Sequence, residues 1–277
     1  MSDIPSLGQQ PATTNLQFLK LGGSLITDKT RPHSPRLDLI AHLAGEIAVA
    51  RQHNISLQLV LGHGSGSFGH VPALRYGTRQ GVKTREEWQG FVEVWREAVA
   101  LNRLVVDALG EAGLPAIALP PLASVTARDG RVETWDLSPL RASLQSGLLP
   151  VVFGDVVFDR LRGGTILSTE DLFDYLARQL CPRRILFAGL EPGVWADFPT
   201  CSRLVEVITP SNLPEIAPVI GASVATDVTG GMISKVQQSL RLVRDISGLE
   251  VCIFSGEIPG SLERALLGES IGTLIRM

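Results

Sequence analysis

The sequence predicts an α/β fold built on a mostly parallel sheet with helices on both faces. Three observations carry this. Short apolar runs of strand length alternate with longer stretches of helical spacing along the whole chain. The short runs are continuously apolar, as strands buried on both faces are. Glycines gather where these runs end and helices begin, at 22–23, 62–69, 154 and 230–231. In an open α/β sheet that edge lines the binding crevice.

Taken in order, NLQFLKLGGSLI (15–26) is an apolar strand running into Gly22-Gly23-Ser24. DLIAHLAGEIAVARQ (38–52) is a helix with Leu39, Ile40, Leu43 and Ile47 on one face. SLQLVLG (56–62) is a buried strand, followed by the loop HGSGSFGH (63–70). Residues 85–113 form a long amphipathic helical stretch, acidic early and stopped by Gly113. PAIALP (115–120) is a short strand, LSPLRASLQSG (137–147) a short helix, and LLPVVFGDVVFD (148–159) a strand turning at Gly154-Asp155. In GGTILSTEDLFDYLARQL (163–180) a short strand leads to a Ser168 or Thr169 cap, with Glu170 and Asp171 in the first helical turn. RRILFAG (183–189) is a strand, and TGGMISKVQQSLRLVRDI (229–246) a helix opened by a glycine turn. EVCIFSG (250–256) is the last long strand and SLERALLG (261–268) the last short helix.

The chain has 277 residues, 44% hydrophobic and 19% charged, enough for one large domain or two lobes of one fold. The expected division is a flexible polar extension over 1–15 and a single domain over 16–277, with a soft boundary near 180 between two lobes. A net charge of −3 offers no basic field for nucleic acid or for an acidic membrane surface. No apolar run reaches the roughly 18 residues that span a bilayer, and the polar start lacks the apolar core of a signal peptide. The cysteines, Cys181, Cys201 and Cys252, are odd in number and widely spaced. They suit a reduced cytoplasm and not a zinc site. Of 25 basic residues only Lys20, Lys29, Lys83 and Lys235 are lysine, and three of these lie beside glycine-rich stretches. Where arginine is the default, a lysine there points to a need for a compact point charge.

Four constellations can carry chemistry, each with a bland rival. Lys20-Leu21-Gly22-Gly23-Ser24, with Lys29 nearby, can aim backbone N–H groups at an anion and neutralise it; the rival is a tight turn with incidental lysines. His63-Gly64-Ser65-Gly66 can form a nest of N–H donors, with His70 just beyond; a lone histidine is more often structural, and no third ligand makes the pair a metal site. Asp155 after Gly154 can orient a lysine or hold magnesium, or simply serve a turn. Asp227-Val-Thr-Gly230-Gly231 at a helix start, with Lys235 one turn in, suits a polyphosphate or an ordinary helix N-terminus. The loops match neither G-x-x-x-x-G-K-[ST] nor G-x-G-x-x-G. Converging at strand ends, the four make a site for a nucleotide polyphosphate and a second anion. Positioning and charge neutralisation are what phosphoryl transfer needs.

In this order KLGGS, H-G-x-G-S-F-G-H, PVVFGDVVFD, TEDL and DVTGGMxxK resemble the amino acid kinase superfamily, over about Phe18 to the end. Within it the S-F-G-H ending of the glycine loop is similar to the isopentenyl phosphate kinases. The resemblance implies an amino acid kinase-like three-layer sandwich and transfer of the ATP γ-phosphate to isopentenyl phosphate, with magnesium accompanying ATP. The alternative is a kinase of the same fold acting on another phosphate or phosphonate, of the fosfomycin kind. Position by position, it implies that Lys20, Lys29, His70 and Asp155 are catalytic: the lysines stabilise the transferring group, Asp155 organises them, and His70 holds the acceptor phosphate. Lys20, Gly22, Gly23, Ser24, Gly66, Gly193, Gly230, Gly231 and Lys235 are implied for ATP, and Ser65, Gly66, His70 and Gly154 for the acceptor. A homodimer is implied as well. The apolar tail of such an acceptor needs a pocket, for which Phe91, Val94, Trp95 and Val99 of the long helix are candidates. Two departures stand out: Ser65 where the family usually has glycine, and Glu191-Pro192 within AGLEPGVW where it commonly reads D-V-D-G-V-Y.

Overall fold

The computed structural model describes residues 15–221 and 231–277. Its first half runs β1 (Leu16–Leu21), α1 (Gly23–Ile26), α2 (Leu37–His53), β2 (Gln58–His63), α3 (His70–Tyr76), α4 (Arg85–Glu111), β3 (Ala116–Ala118), β4 (Val125–Arg128) and β5 (Arg131–Trp135). Then come α5 (Ser138–Gln145), β6 (Leu149–Phe153), β7 (Asp155–Asp159), β8 (Gly163–Leu167), α6 (Thr169–Leu180) and β9 (Arg184–Gly189). The chain continues with β10 (Val207–Ile208), α7 (Leu213–Gly221), α8 (Gly231–Asp245), β11 (Glu250–Ser255), α9 (Ser261–Leu266) and β12 (Thr273–Ile275).

Eight strands form the main sheet in the order β10-β12-β11-β9-β1-β2-β6-β3. From β11 to β3 every pairing is parallel; β12 lies antiparallel to β11, with β10 parallel to it. β1 sits at the centre and is buried throughout, which is why its sequence shows no polar alternation. Its side chains still divide by parity. Leu16 and Phe18 join a core with Val60, Val152, Ile185 and residues of α5, α6 and α8. Leu19 and Leu21 join the opposite core with Leu59, Leu61, Leu186 and residues of α2, α4 and α9. The result is a three-layer α/β sandwich, as the sequence predicts. The sheet crosses the expected lobe boundary near 180 without a break, since β9 pairs with β1.

A second sheet, β5-β4-β7-β8, differs from the sequence reading. The chain leaves the main sheet after Phe153 and enters the smaller one at Asp155, so Gly154 is a switch between sheets rather than a turn within one strand. A third, smaller core of Val82, Phe91, Val94 and Val156 fills the space between α4 and this second sheet. α4 begins with a capping box in which Thr84 Oγ1 accepts from Glu87 N and Glu87 Oε2 accepts from Thr84 N. α6 begins with the same device built from Ser168 and Asp171, which settles the choice of cap in favour of Ser168. Among the described residues no helix is long and apolar enough to cross a membrane. The three cysteines are free thiols.

Candidate active site

A cavity of about 680 Å³ opens along the carboxyl ends of β1, β2 and β9, where the sheet edge exposes loop backbone. Its floor is two glycine loops in backbone contact. A methyl group on Gly23 would lie 2.4 Å from Gly66 N, and one on Gly64 would lie 2.9 Å from Gly23 N. Gly66 is also left-handed, at φ 53°, and a Cβ there would meet Thr27 Oγ1 at 2.0 Å. Thr27 locks the pair: its hydroxyl donates to Gly23 O at 2.8 Å and accepts from Ser67 N at 2.8 Å. The glycines therefore serve loop-to-loop packing as much as access for a ligand. Ser65 fits because its backbone lies outside the left-handed region. The first N–H groups of α1, at Gly23 and Ser24, have no acceptor within the helix, and both residues line the cavity. α8 presents its N-terminus to the same cavity through Gly231 and Met232.

Cations are placed around this cradle by secondary structure. Lys20 comes from the end of β1, Lys29 from the loop after α1, and Lys235 from the first turns of α8; all three line the cavity. The Lys20 ammonium donates to Glu170 Oε1, with both side chains nearly buried at 11% and 13% exposure. Burial alone would raise the Glu170 pKa, but Lys20 and Lys235 outweigh it and hold the carboxyl at about 2. The Lys235 ammonium also lies 5.9 Å from the centre of the Phe187 ring. His70, the first residue of α3, faces the same cavity, and its side chain has no partner among the described residues.

Residues 15–255 match the Amino acid kinase family. The chain belongs to that family. It is 36% identical to the isopentenyl phosphate kinase of Methanothermobacter thermautotrophicus over 93% of this chain and 98% of that one. It is 33% identical to the isopentenyl phosphate kinase of Methanocaldococcus jannaschii, over 94% and 98% of the two chains. Among solved structures, one described as isopentenyl phosphate kinase superposes with a TM-score of 0.78 at 32% identity, covering 94% of this chain and all of that one.

In this amino acid kinase the structure brings together most of the site residues expected from sequence. Lys20, Gly22, Gly23, Ser24, Lys29, Ser65, Gly66, His70, Gly154, Gly193, Gly231 and Lys235 all line the one cavity. Gly230, with Asp227 and Thr229, lies outside the described residues. Gly193 has a packing reason of its own, since a Cβ there would meet Thr273 Oγ1 at 2.7 Å. His63 is structural: it is buried, stacked on Phe153 at 5.4 Å, and its Nε2 lies 3.1 Å from Asn102 Oδ1.

Two expectations need correction. Asp155 does not organise the lysines. Its side chain is 1% exposed, Oδ1 accepts from Val156 N at 2.8 Å, and Oδ2 has no partner. The carboxylate that meets Lys20 is Glu170, which α6 carries to the cavity from the far side of Gly154. Of the four apolar candidates only Val94 lines the cavity. Phe91 packs in the third core against Trp88, and Trp95 is exposed. The apolar limb is made instead by Ala73 and Leu74 of α3, Val94 and Ala98 of α4, and Ile166 and Leu167 of β8. Its β8 wall belongs to the second sheet, which the sequence reading does not contain.

Asp155 remains informative about stability. Burial, opposed by the Val156 N–H, pushes its pKa from 3.8 to about 7. Below about pH 4 the carboxyl is protonated in both folded and unfolded chains. Between that pH and about 7 the unfolded chain ionises it while the native chain keeps the proton, so stability falls as pH rises, by up to about 4 kcal/mol. Asp155→Asn should flatten this part of the pH profile in urea unfolding. A profile parallel to that of the parent across pH 4–7 would show that Asp155 is ionised in the folded protein.

Proposed function

We propose that the chain transfers the γ-phosphoryl group of ATP to isopentenyl phosphate, giving isopentenyl diphosphate and ADP. The observation that carries this reading is the continuity of the cavity: a cationic glycine cradle passes by His70 into an apolar limb lined by Leu74, Val94 and Ile166. A phosphate monoester with a short hydrocarbon tail matches both halves. The relatives named above as isopentenyl phosphate kinases, aligned over nearly the whole chain, support the same choice.

In the proposed reaction an oxygen of the acceptor phosphate forms a bond to the γ-phosphorus as the bond from that phosphorus to the β–γ bridging oxygen breaks. The acceptor oxygen is already ionised near neutral pH, so no strong base is required. The task is to bring two anions together and to stabilise charge on the transferring group. Lys20 and Lys29 are assigned to that group, with Glu170 holding the Lys20 ammonium in place. Lys235 and the N-terminus of α8 are assigned to the ATP phosphates, and Gly23, Ser24 and Gly66 to backbone contacts. His70 is assigned to the acceptor phosphate, donating a ring N–H, with Ser65 and Gly154 beside it. The acceptor is thus assigned to elements before residue 180, and the ATP phosphates to the glycine loops of that half together with the start of α8.

Magnesium would arrive with ATP and would offset the negative charge of its phosphates. Among the described residues no three His, Cys, Asp or Glu side chains stand close enough together to hold a metal, and Glu170 is engaged by Lys20.

The test is ADP release from ATP and magnesium with isopentenyl phosphate, dimethylallyl phosphate, fosfomycin or small amino acids as acceptors. Isopentenyl phosphate should exceed fosfomycin and the amino acids by at least about 10²-fold in kcat/KM. Preference for fosfomycin would replace the acceptor while keeping the fold and the phosphate machinery.

A further inference from the structure

Beside the main cavity lies a small polar cleft of about 40 Å³. Arg79 lines both. It shares the cleft with Glu170, the carboxylate that holds Lys20, and with Gly231, Ser234 and Lys235 at the start of α8. On its own side of the chain it follows α3, the helix that begins with His70. Arg79 therefore stands where the elements assigned to the acceptor meet those assigned to the nucleotide phosphates.

Its loop is held firmly. The Arg79 carbonyl accepts from Arg162 Nη1 at 3.1 Å and from Thr165 Oγ1 at 2.9 Å. Arg162 is in turn tied to Asp129, through Nε at 3.0 Å and Nη2 at 2.9 Å. The guanidinium touches Asp171 Oδ2 through Nη2 at 3.3 Å, a long contact for a charge-assisted pair. Asp171 Oδ2 already accepts from Ser168 N at 2.8 Å and Ser168 Oγ at 2.7 Å. A guanidinium has five donors in a planar fork. Among the described residues one of these donors is used, weakly, and the side chain keeps 32% exposure. Asp171 thus sets the direction of the fork without exhausting it.

We propose that Arg79 is a further phosphate-binding residue, whose guanidinium grips the γ-phosphate of ATP. This rests on the reading that the cradle binds the ATP polyphosphate. An arginine suits this place because two neighbouring oxygens of one phosphoryl group match its fork, whereas the three cavity lysines act as point charges. The β-phosphate and nucleoside lie farther along the cavity and do not involve Arg79.

The experiment compares binding of the β,γ-imido analogue of ATP and of ADP, each with magnesium, by calorimetric titration of the parent, Arg79→Ala and Arg79→Lys. In Arg79→Ala the analogue should bind at least about tenfold more weakly while ADP changes less than about twofold, and Arg79→Lys should recover part of the loss. Equal losses for both nucleotides, with a lowered Tm, would reduce Arg79 to a structural tie to Asp171 and overturn the proposal. So would unchanged analogue binding in Arg79→Ala. A parent protein that binds neither nucleotide would overturn the donor assignment itself, and the role of Arg79 with it.

Discussion

Lys20→Ala is expected to lower kcat by about 10³-fold while changing the KM for ATP far less. The ammonium sits nearly buried at the end of the central strand, where it lines the cavity. Groups preorganised toward developing transition-state charge there are worth about 3–4 kcal/mol each. Glu170→Gln should follow with a smaller loss, about 10²-fold, because it misplaces the same ammonium rather than removing it. The two effects should not add: in a Lys20→Ala background, Glu170→Gln should cost little further turnover. Each single variant also removes one half of a nearly buried pair, although Glu170 keeps the attraction of Lys235 when Lys20 is lost, and each should lower stability. The rates should therefore be compared well below each variant's Tm. Additive losses in kcat would mean that Glu170 acts on the phosphates by some route other than Lys20.

That pair also marks the limit of what the sequence discloses. The strand-to-helix alternation, the two glycine loops and the lysines near them are legible because each rests on local pattern. Glu170 is visible only as an acid in the first turn of a helix, which the helix dipole explains without any partner. Its pairing with Lys20 depends on β1, β2 and β6 lying side by side and on the chain changing sheets at Gly154. Asp155 draws attention because it stands at a strand end, yet that switch turns it into the second sheet. The second sheet carries a signal of its own: Asp129-Gly130 lies between V-T-A-R and R-V-E-T-W, and both residues are left-handed, at φ 52° and 74°. An Asp-Gly pair between alternating runs is a strong hairpin pattern. Reading it would expose β4 and β5, and with them the sheet that walls the apolar limb. The helix α3 is harder to see, since it is short, contains Pro72 and is bounded by left-handed Gly69 and Gly77.

His70→Ala carries the acceptor assignment. Its side chain faces the cavity between the cationic cradle and the apolar limb, with no protein partner among the described residues to account for it. Removing it should lower kcat/KM for isopentenyl phosphate by about 10²-fold, the scale of one to two lost charge-assisted hydrogen bonds. Binding of the imido analogue of ATP should change less than about twofold, because the ATP phosphates are assigned to Lys20, Gly23, Ser24 and Lys235. His70→Gln should recover part of the loss, since an amide N–H can donate where imidazole does but with different reach. Acceptor kinetics unchanged in His70→Ala would sink the assignment. The acceptor phosphate would then have to be held by Ser65, Gly66 and Gly154 without His70. A loss confined to phosphate-bearing acceptors would instead tie the acceptor phosphate to His70, which lines the same cavity as the cationic cradle and the apolar limb.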